Sequence, residues 1–335
     1  MAGFMVICRK ELSDHLGSKR FLLLFGLILV LSLFSAYQGA ESIRESTSGV
    51  FINIFSGIYG GGYSFLNLMF MFGPIIGLAL GFDSINREKS QGSLSVLLSQ
   101  PIFRDSIING KFLAGISALS LLAVATIGIM SGVAIPLLGF GPGPNEILRI
   151  VLFTLLTILY LSVWLAIGVF FSTVTKKTAT SMLASISTWI FSVIVITILA
   201  SVIANALVST QFPSGMFRTP PPDINGTSSS FEPIDQTMME EWQERMELNS
   251  EIRSFIQRLS PSMLYQEAAT SLVRVNYYPF ISSMSSVSID VSDPFGAEQD
   301  MLSTWPQIVA LAVFLIVCFA ASYILFLRQE IRAGS

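Results

Sequence analysis

Six stretches of this chain are apolar almost without a break: 21–38, 64–82, 112–140, 147–171, 180–208 and 306–327. Crossing about 30 Å of hydrocarbon takes about 20 mostly apolar residues in a helix, so each stretch is read as a membrane span. None carries Asp, Glu, Lys or Arg in its middle; Asp83 and Arg149 stand at ends. Span 1 outruns a signal-peptide core and shows no small-x-small cleavage site, so it reads as an anchor that stays. Ahead of it, residues 1–20 form a charged amphipathic segment. Phe4, Cys8, Leu12 and Leu16 share one helical face there, beside Arg9-Lys10-Glu11.

The 97 residues between spans 5 and 6, 209–305, have a different texture. They open on a Pro/Gly/Ser-rich loop, 212–230, that includes Pro220-Pro221-Pro222. A helix capped by Asp235 is expected next. Its apolar positions Met238, Met239, Trp242, Met246, Ile252, Phe255, Ile256 and Leu259 recur at helical spacing, and Pro261 ends it. Alternation through Ser286-Val287-Ser288-Ile289-Asp290-Val291 predicts one strand. The expected fold is therefore an all-α membrane protein of six transmembrane helices, with an α+β extracytoplasmic domain between helices 5 and 6. Its divisions are the amphipathic segment 1–20, spans 1 to 5 in 21–208 with a polar loop at 84–111, the domain 209–305, and span 6 with a tail in 306–335.

Composition excludes the other classes. Of 335 residues, 52% are hydrophobic and 12% charged, with a mean hydropathy of +0.67, whereas soluble domains carry about 25% charged residues. A soluble globule of this make-up would expose a greasy shell, and disorder needs the opposite balance. Two cysteines rule out a disulfide scaffold, and a net charge of −3 gives no basic field for nucleic acid. All six lysines (Lys10, Lys19, Lys89, Lys111, Lys176, Lys177) precede span 1 or lie between spans 2 and 3 or spans 4 and 5. Arg9, Arg20, Arg87, Arg104, Arg328 and Arg332 bring that side to twelve positive charges, while the short loops opposite hold only Arg44 and Arg149. Positive residues stay in the cytosol, so both termini are expected inside a cell membrane and 209–305 outside. That outer segment has five arginines, no lysine and thirteen acids, a net of −8.

Catalytic chemistry is scarce. Gly110-Lys111 lacks the upstream glycine and following hydroxyl of a phosphate-binding loop, and Gly60-Gly61-Gly62 lacks the strand–helix setting. With His15 as its only histidine, the chain has neither a zinc pair nor a His-based triad. Cys8 and Cys318 lie at different depths and read as free structural thiols. No catalytic, cofactor or metal residue is assigned. The outer domain, without His, Cys or Lys, is expected to be a lid or partner-binding module rather than an enzyme. Its Asn225-Gly226-Thr227 is a glycosylation acceptor only in a host that modifies surface proteins.

Two stripes of small residues stand out. Gly73, Gly77 and Gly81 in span 2 let another helix approach closely, inside one subunit or across a dimer seam. Span 5 carries Ser181, Ser185, Thr188, Ser192 and Thr197. Packing is the first reading of that stripe as well, with Ser185, Thr188 and Ser192 as candidate lining of a pathway.

The loop after span 2 is the most informative segment. Leu94, Leu97 and Leu98 form one apolar edge of a short helix that Pro101 ends, suited to the bilayer surface or to a partner's groove. Glu88, Gly92, Ser93, Leu94, Leu97, Leu98, Pro101 and Arg104, followed by Gly110-Lys111, resemble the permease subunits of type-2 ABC transporters, with Ser93 where threonine is usual. The amphipathic start, Leu259-Ser260-Pro261 with Tyr265, and the closing Phe326-Leu327-Arg328-Gln329-Glu330-Ile331-Arg332 resemble that family too. The resemblance implies a permease, expected to be an exporter, that dimerises with a second permease, a copy of itself or a related chain, and pairs with two separate ABC ATPase subunits through the coupling residues Glu88 to Arg104. ATP and Mg would then belong to the ATPase, and none would be bound by this chain. A non-transporting transducer that moves the outer domain is the rival reading.

Overall fold

The computed structural model describes residues 2–45, 50–56, 64–90, 104–208, 236–273 and 304–328. Six helices in it are long and apolar enough to cross a membrane. Short α1 (Ala2–Gly17) leads, separated by Ser18 alone from α2 (Lys19–Glu45). The single turn α3 (Asn53–Ser56) precedes α4 (Phe65–Gly81), whose N-cap Ser64 accepts from the Asn67 amide. Next come α5 (Asn86–Ser90), α6 (Arg104–Leu138) and α7 (Pro144–Val174). Span 5 is α8 (Thr178–Ile190), a π-turn at Phe191–Val195, and α9 (Ile196–Leu207). Two helices, α10 (Gln236–Gln257) and α11 (Pro261–Val273), precede the last span, α12 (Trp305–Arg328). The observed spans match the apolar stretches to within a few turns, and run on past them where polar residues continue the helix.

All described elements are helical. The strand expected at 286–291 lies outside the described residues, as do Asp235, the Pro/Gly/Ser-rich loop, Asn225 and Gly60-Gly61-Gly62. The α+β character expected between spans 5 and 6 is therefore unsupported: what is described there is two helices. Pro261 separates them as expected, but it also opens α11, because a first-turn position needs no amide hydrogen.

The chain forms two compact units, Met1–Ile190 with Pro261–Ser335, and Phe191–Ser260. In the first, α7 is the central helix, packed against α4, α6, α11 and α12. Tyr160, Trp164 and Leu161 of α7 are fully buried, whereas Leu23, Leu27, Val30 and Phe34 of α2 form an exposed apolar face that suits lipid. In the second unit α9 and α10 pack together. Asn249 donates to Asn205 Oδ1 and to the Val208 carbonyl, and Ser260 Oγ meets Ser192 Oγ at 2.7 Å. Of the apolar positions on α10, Trp242, Ile252 and Ile256 are half-buried; Met246 and Phe255 stand exposed, as does Leu259 just beyond it.

Candidate functional site

The polar segment after α4 is bound on every side within the first unit. Lys111, about two turns into α6, is buried and reaches back to two carboxylates: Glu88 Oε1 of α5 at 2.7 Å and Glu11 Oε2 of α1 at 3.0 Å. Lys10 adds contacts of 3.5 Å to Glu11 and 3.9 Å to Asp14. Charges out of water persist only when paired, and here one ammonium serves two acids from two other elements. Burial by itself raises the Glu11 carboxyl, but the charge and hydrogen bond of Lys111 outweigh it and hold that carboxyl below its ordinary range. Burial, with help from Lys111, lowers His15, against the opposing pull of Glu11. Gly110 explains why α1 comes so near: a Cβ there would stand 2.9 Å from Ile7 Cγ2.

Further contacts fix the same segment to three more helices. Arg20 of α2 donates to Asp83 Oδ2 at 2.9 Å and lies 6.0 Å from the Phe82 ring. The amides of Ile85 and Asn86 both donate to Ser172 Oγ of α7, and Asn86 Nδ2 donates to Thr175 Oγ1 at 2.8 Å. Ser181 Oγ of α8 donates to the Phe82 carbonyl at 2.7 Å. Residues 82–90 are thereby tied to α1, α2, α6, α7 and α8. Of the residues picked out in this loop, Glu88 is in that knot and Arg104 begins α6; Gly92, Ser93, Leu94, Leu97, Leu98 and Pro101 lie outside the described residues. Sequence reasoning missed Ser172 and Thr175, hydroxyls just where span 4 ends, a place at which unpaired loop amides need acceptors.

The glycine stripe of α4 meets α7 of the same chain. A Cβ on Gly77 would come within 2.7 Å of the Leu161 carbonyl oxygen, and one on Gly81 within 2.6 Å of that of Leu165; Gly168 answers Gly81 from the other side, its own Cβ position 3.0 Å from Gly81 Cα. Gly73 faces the Tyr160 ring at 3.0 Å. Pro74 interrupts this helix and leaves the Phe70 carbonyl without its intrahelical donor. Tyr160 Oη donates to that carbonyl at 3.0 Å. With its proton spent there, Tyr160 accepts from Ser262 Oγ of α11, also at 3.0 Å. Tyr265 stacks on Tyr160, ring centroids 4.1 Å apart, and donates to Thr157 Oγ1, whose own hydrogen goes to the Phe153 carbonyl. At the other end of α11, buried Arg149 donates to the Leu272 carbonyl, one of the last-turn oxygens that a helix cannot satisfy itself.

The span 5 residues are used differently. Thr188 donates to its own backbone at Ala184, Ser192 is engaged by Ser260, and Ser185 Oγ is buried with no hydrogen-bond partner among the described residues. Cys8 is buried and Cys318 half-buried, both as free thiols.

The sequence profile of the ABC-2 family transporter proteins matches residues 5–331, which reach from α1 to just past α12. The chain belongs to this family. Two relatives are named probable ABC transporter permease protein NosY. The one from Pseudomonas aeruginosa is 32% identical over 146 residues, 43% of this chain and 46% of that protein. The one from Stutzerimonas stutzeri is 34% identical over 106 residues, 32% of this chain and 36% of that protein. The matches span less than half the length of either relative. An ABC-2 family member with six apolar helices of this length is a multi-pass membrane protein.

Proposed function

We propose that this ABC-2 family member is the permease of an ATP-driven exporter, worked by a separate ATPase through the loop 84–111. The anchorage of residues 82–90 carries the reading: a displacement at the start of that loop reaches spans 1, 3, 4 and 5 at once through Asp83, Glu88, Asn86 and Phe82. Leu94, Leu97 and Leu98 follow directly and supply the apolar edge that an ATPase groove buries, since leaving three leucines in water forgoes roughly 1.5–3 kcal/mol each. Gly92 would serve a tight turn or a close backbone approach there. Glu88 is engaged by Lys111, so its part is to hold the loop to the spans, while Arg104 is the candidate to pair with a charge on the ATPase. ATP and Mg act in that partner subunit, and a second permease copy completes the transporter. Ser185, with no partner among the described residues, marks the wall of the pathway. The twelve positive charges at the loop-bearing end support a cytosolic position for it and for both termini, with 209–305 outside.

Leu97→Asp in the complex tests this. The ATPase is expected to dissociate and coupled ATP hydrolysis to vanish, while the permease still inserts and dimerises. A purified complex that keeps full coupled activity after that change makes the segment a membrane-surface helix and removes the coupling assignment.

A further inference from the structure

A cavity of about 900 Å³ opens beside the Lys111 cluster, between α1, the first turns of α2 and the end of α4. Its walls are of two kinds. Phe21, Leu24, Ala79 and Leu80 belong to spans 1 and 2 and are its apolar lining. The rest of the lining carries five cations and four carboxylates. Arg20, Lys111 and Lys10 are committed to carboxylates. Lys19 and Arg87 line the same space and take no part in those pairs. Ser84 lines it too, and its Oγ is buried with no hydrogen-bond partner among the described residues.

These features ask for one kind of occupant: an anion for two cations, an acceptor for a hydroxyl, and an apolar body to lie against span residues. The volume is in the range of small-molecule sites, about 300–1,000 Å³. We propose that the cavity holds the headgroup of an anionic phospholipid, its phosphate between Lys19 and Arg87, Ser84 donating to a phosphate oxygen, and the acyl chains leaving along Phe21 and Leu24. Basic pockets between spans at the membrane surface recognise phosphate headgroups in this way. Free phosphate offers the same charge but leaves the apolar wall uncovered. The proposal rests on the membrane assignment and is independent of the coupling reading.

Native mass spectrometry of the purified full chain in detergent tests it, with three probes: phosphatidylglycerol, diacylglycerol of the same chains, and inorganic phosphate. Phosphatidylglycerol is expected to bind and diacylglycerol to fail. The pair Lys19→Gln with Arg87→Gln weakens phosphatidylglycerol binding about thirtyfold, two charges' worth at a membrane surface. The pair Lys176→Gln with Lys177→Gln, outside the cavity, leaves it unchanged. The charge-preserving pair Lys19→Arg with Arg87→Lys keeps the lipid, which separates lost charge from lost fold. Undiminished binding in the first pair, equal loss in the second, loss in the third, or inorganic phosphate that displaces the lipid at matching affinity each overturns the proposal.

Discussion

Gly81 and Gly115 both face Leu165, but through different atoms. A Cβ on Gly81 would stand 2.6 Å from the Leu165 carbonyl oxygen, which is backbone and cannot turn away; one on Gly115 would meet Leu165 Cδ2 at 2.7 Å, the free end of a flexible side chain. Gly81→Ala is therefore expected to cost about 1–3 kcal/mol, in the range of overpacked cores. Gly115→Ala should cost clearly less, because a rotamer change relieves it and alanine is the better helix former. Melting temperatures of the two variants in detergent decide this, and equal losses would contradict it. The four-residue spacing of Gly73, Gly77 and Gly81 was legible as a close-approach stripe. Its partner was not: Leu161, Trp164, Leu165 and Gly168 look like any apolar span until the pairing of helices is known.

Helix α1 is held by charges whose state follows pH. His15, the only histidine, is lowered from 6.5 in the folded chain. Between that lowered value and 6.5 the unfolded chain binds the extra proton, so stability rises with pH across this window and falls on acidification through it. Glu11 is lowered from 4.5, and its contribution, present above 4.5, is lost only as pH falls further, through its folded value. Going from about pH 7.5 to about pH 5.5 should thus lower the melting temperature of the parent, and His15→Gln should remove most of that drop. An unchanged drop in the variant would trace the effect elsewhere. Helix α11 shows what helical reading missed. Pro261, Leu264, Tyr265, Ala268, Leu272 and Val273 are buried at helical spacing, a pattern present in the sequence but masked by reading Pro261 only as a stop. Removing the Tyr265 hydroxyl with Phe keeps the ring stack and should cost under about 1 kcal/mol, as interhelical hydrogen bonds in membranes do. Tyr265→Ala also empties the stack and should cost about 3–5 kcal/mol. Comparable losses in a denaturation series would mean that the hydroxyl outweighs the ring.

Six apolar stretches in one chain settle the membrane class before any coordinates, because no other solvent accommodates them. Helical packing settles which spans touch, and that information lies between stretches rather than in them. The proposed orientation rests on charge alone and is tested by single cysteines in a chain whose Cys8 and Cys318 have been replaced. An impermeant reagent on intact cells should label a cysteine at position 228 and spare one at position 335; label at the latter would invert the topology.

One consequence follows from the contact of α4 with α7. Where Gly77, Gly81 and Gly168 bring two backbones together, little side-chain slack is left between the helices, so any sliding would have to break close backbone packing. On α4, Pro74 removes one intrahelical hydrogen bond, and Tyr160 is the splint across that place. In the proposed coupling, a stroke arriving at residues 82–90 is expected to move the pair together as long as that splint holds.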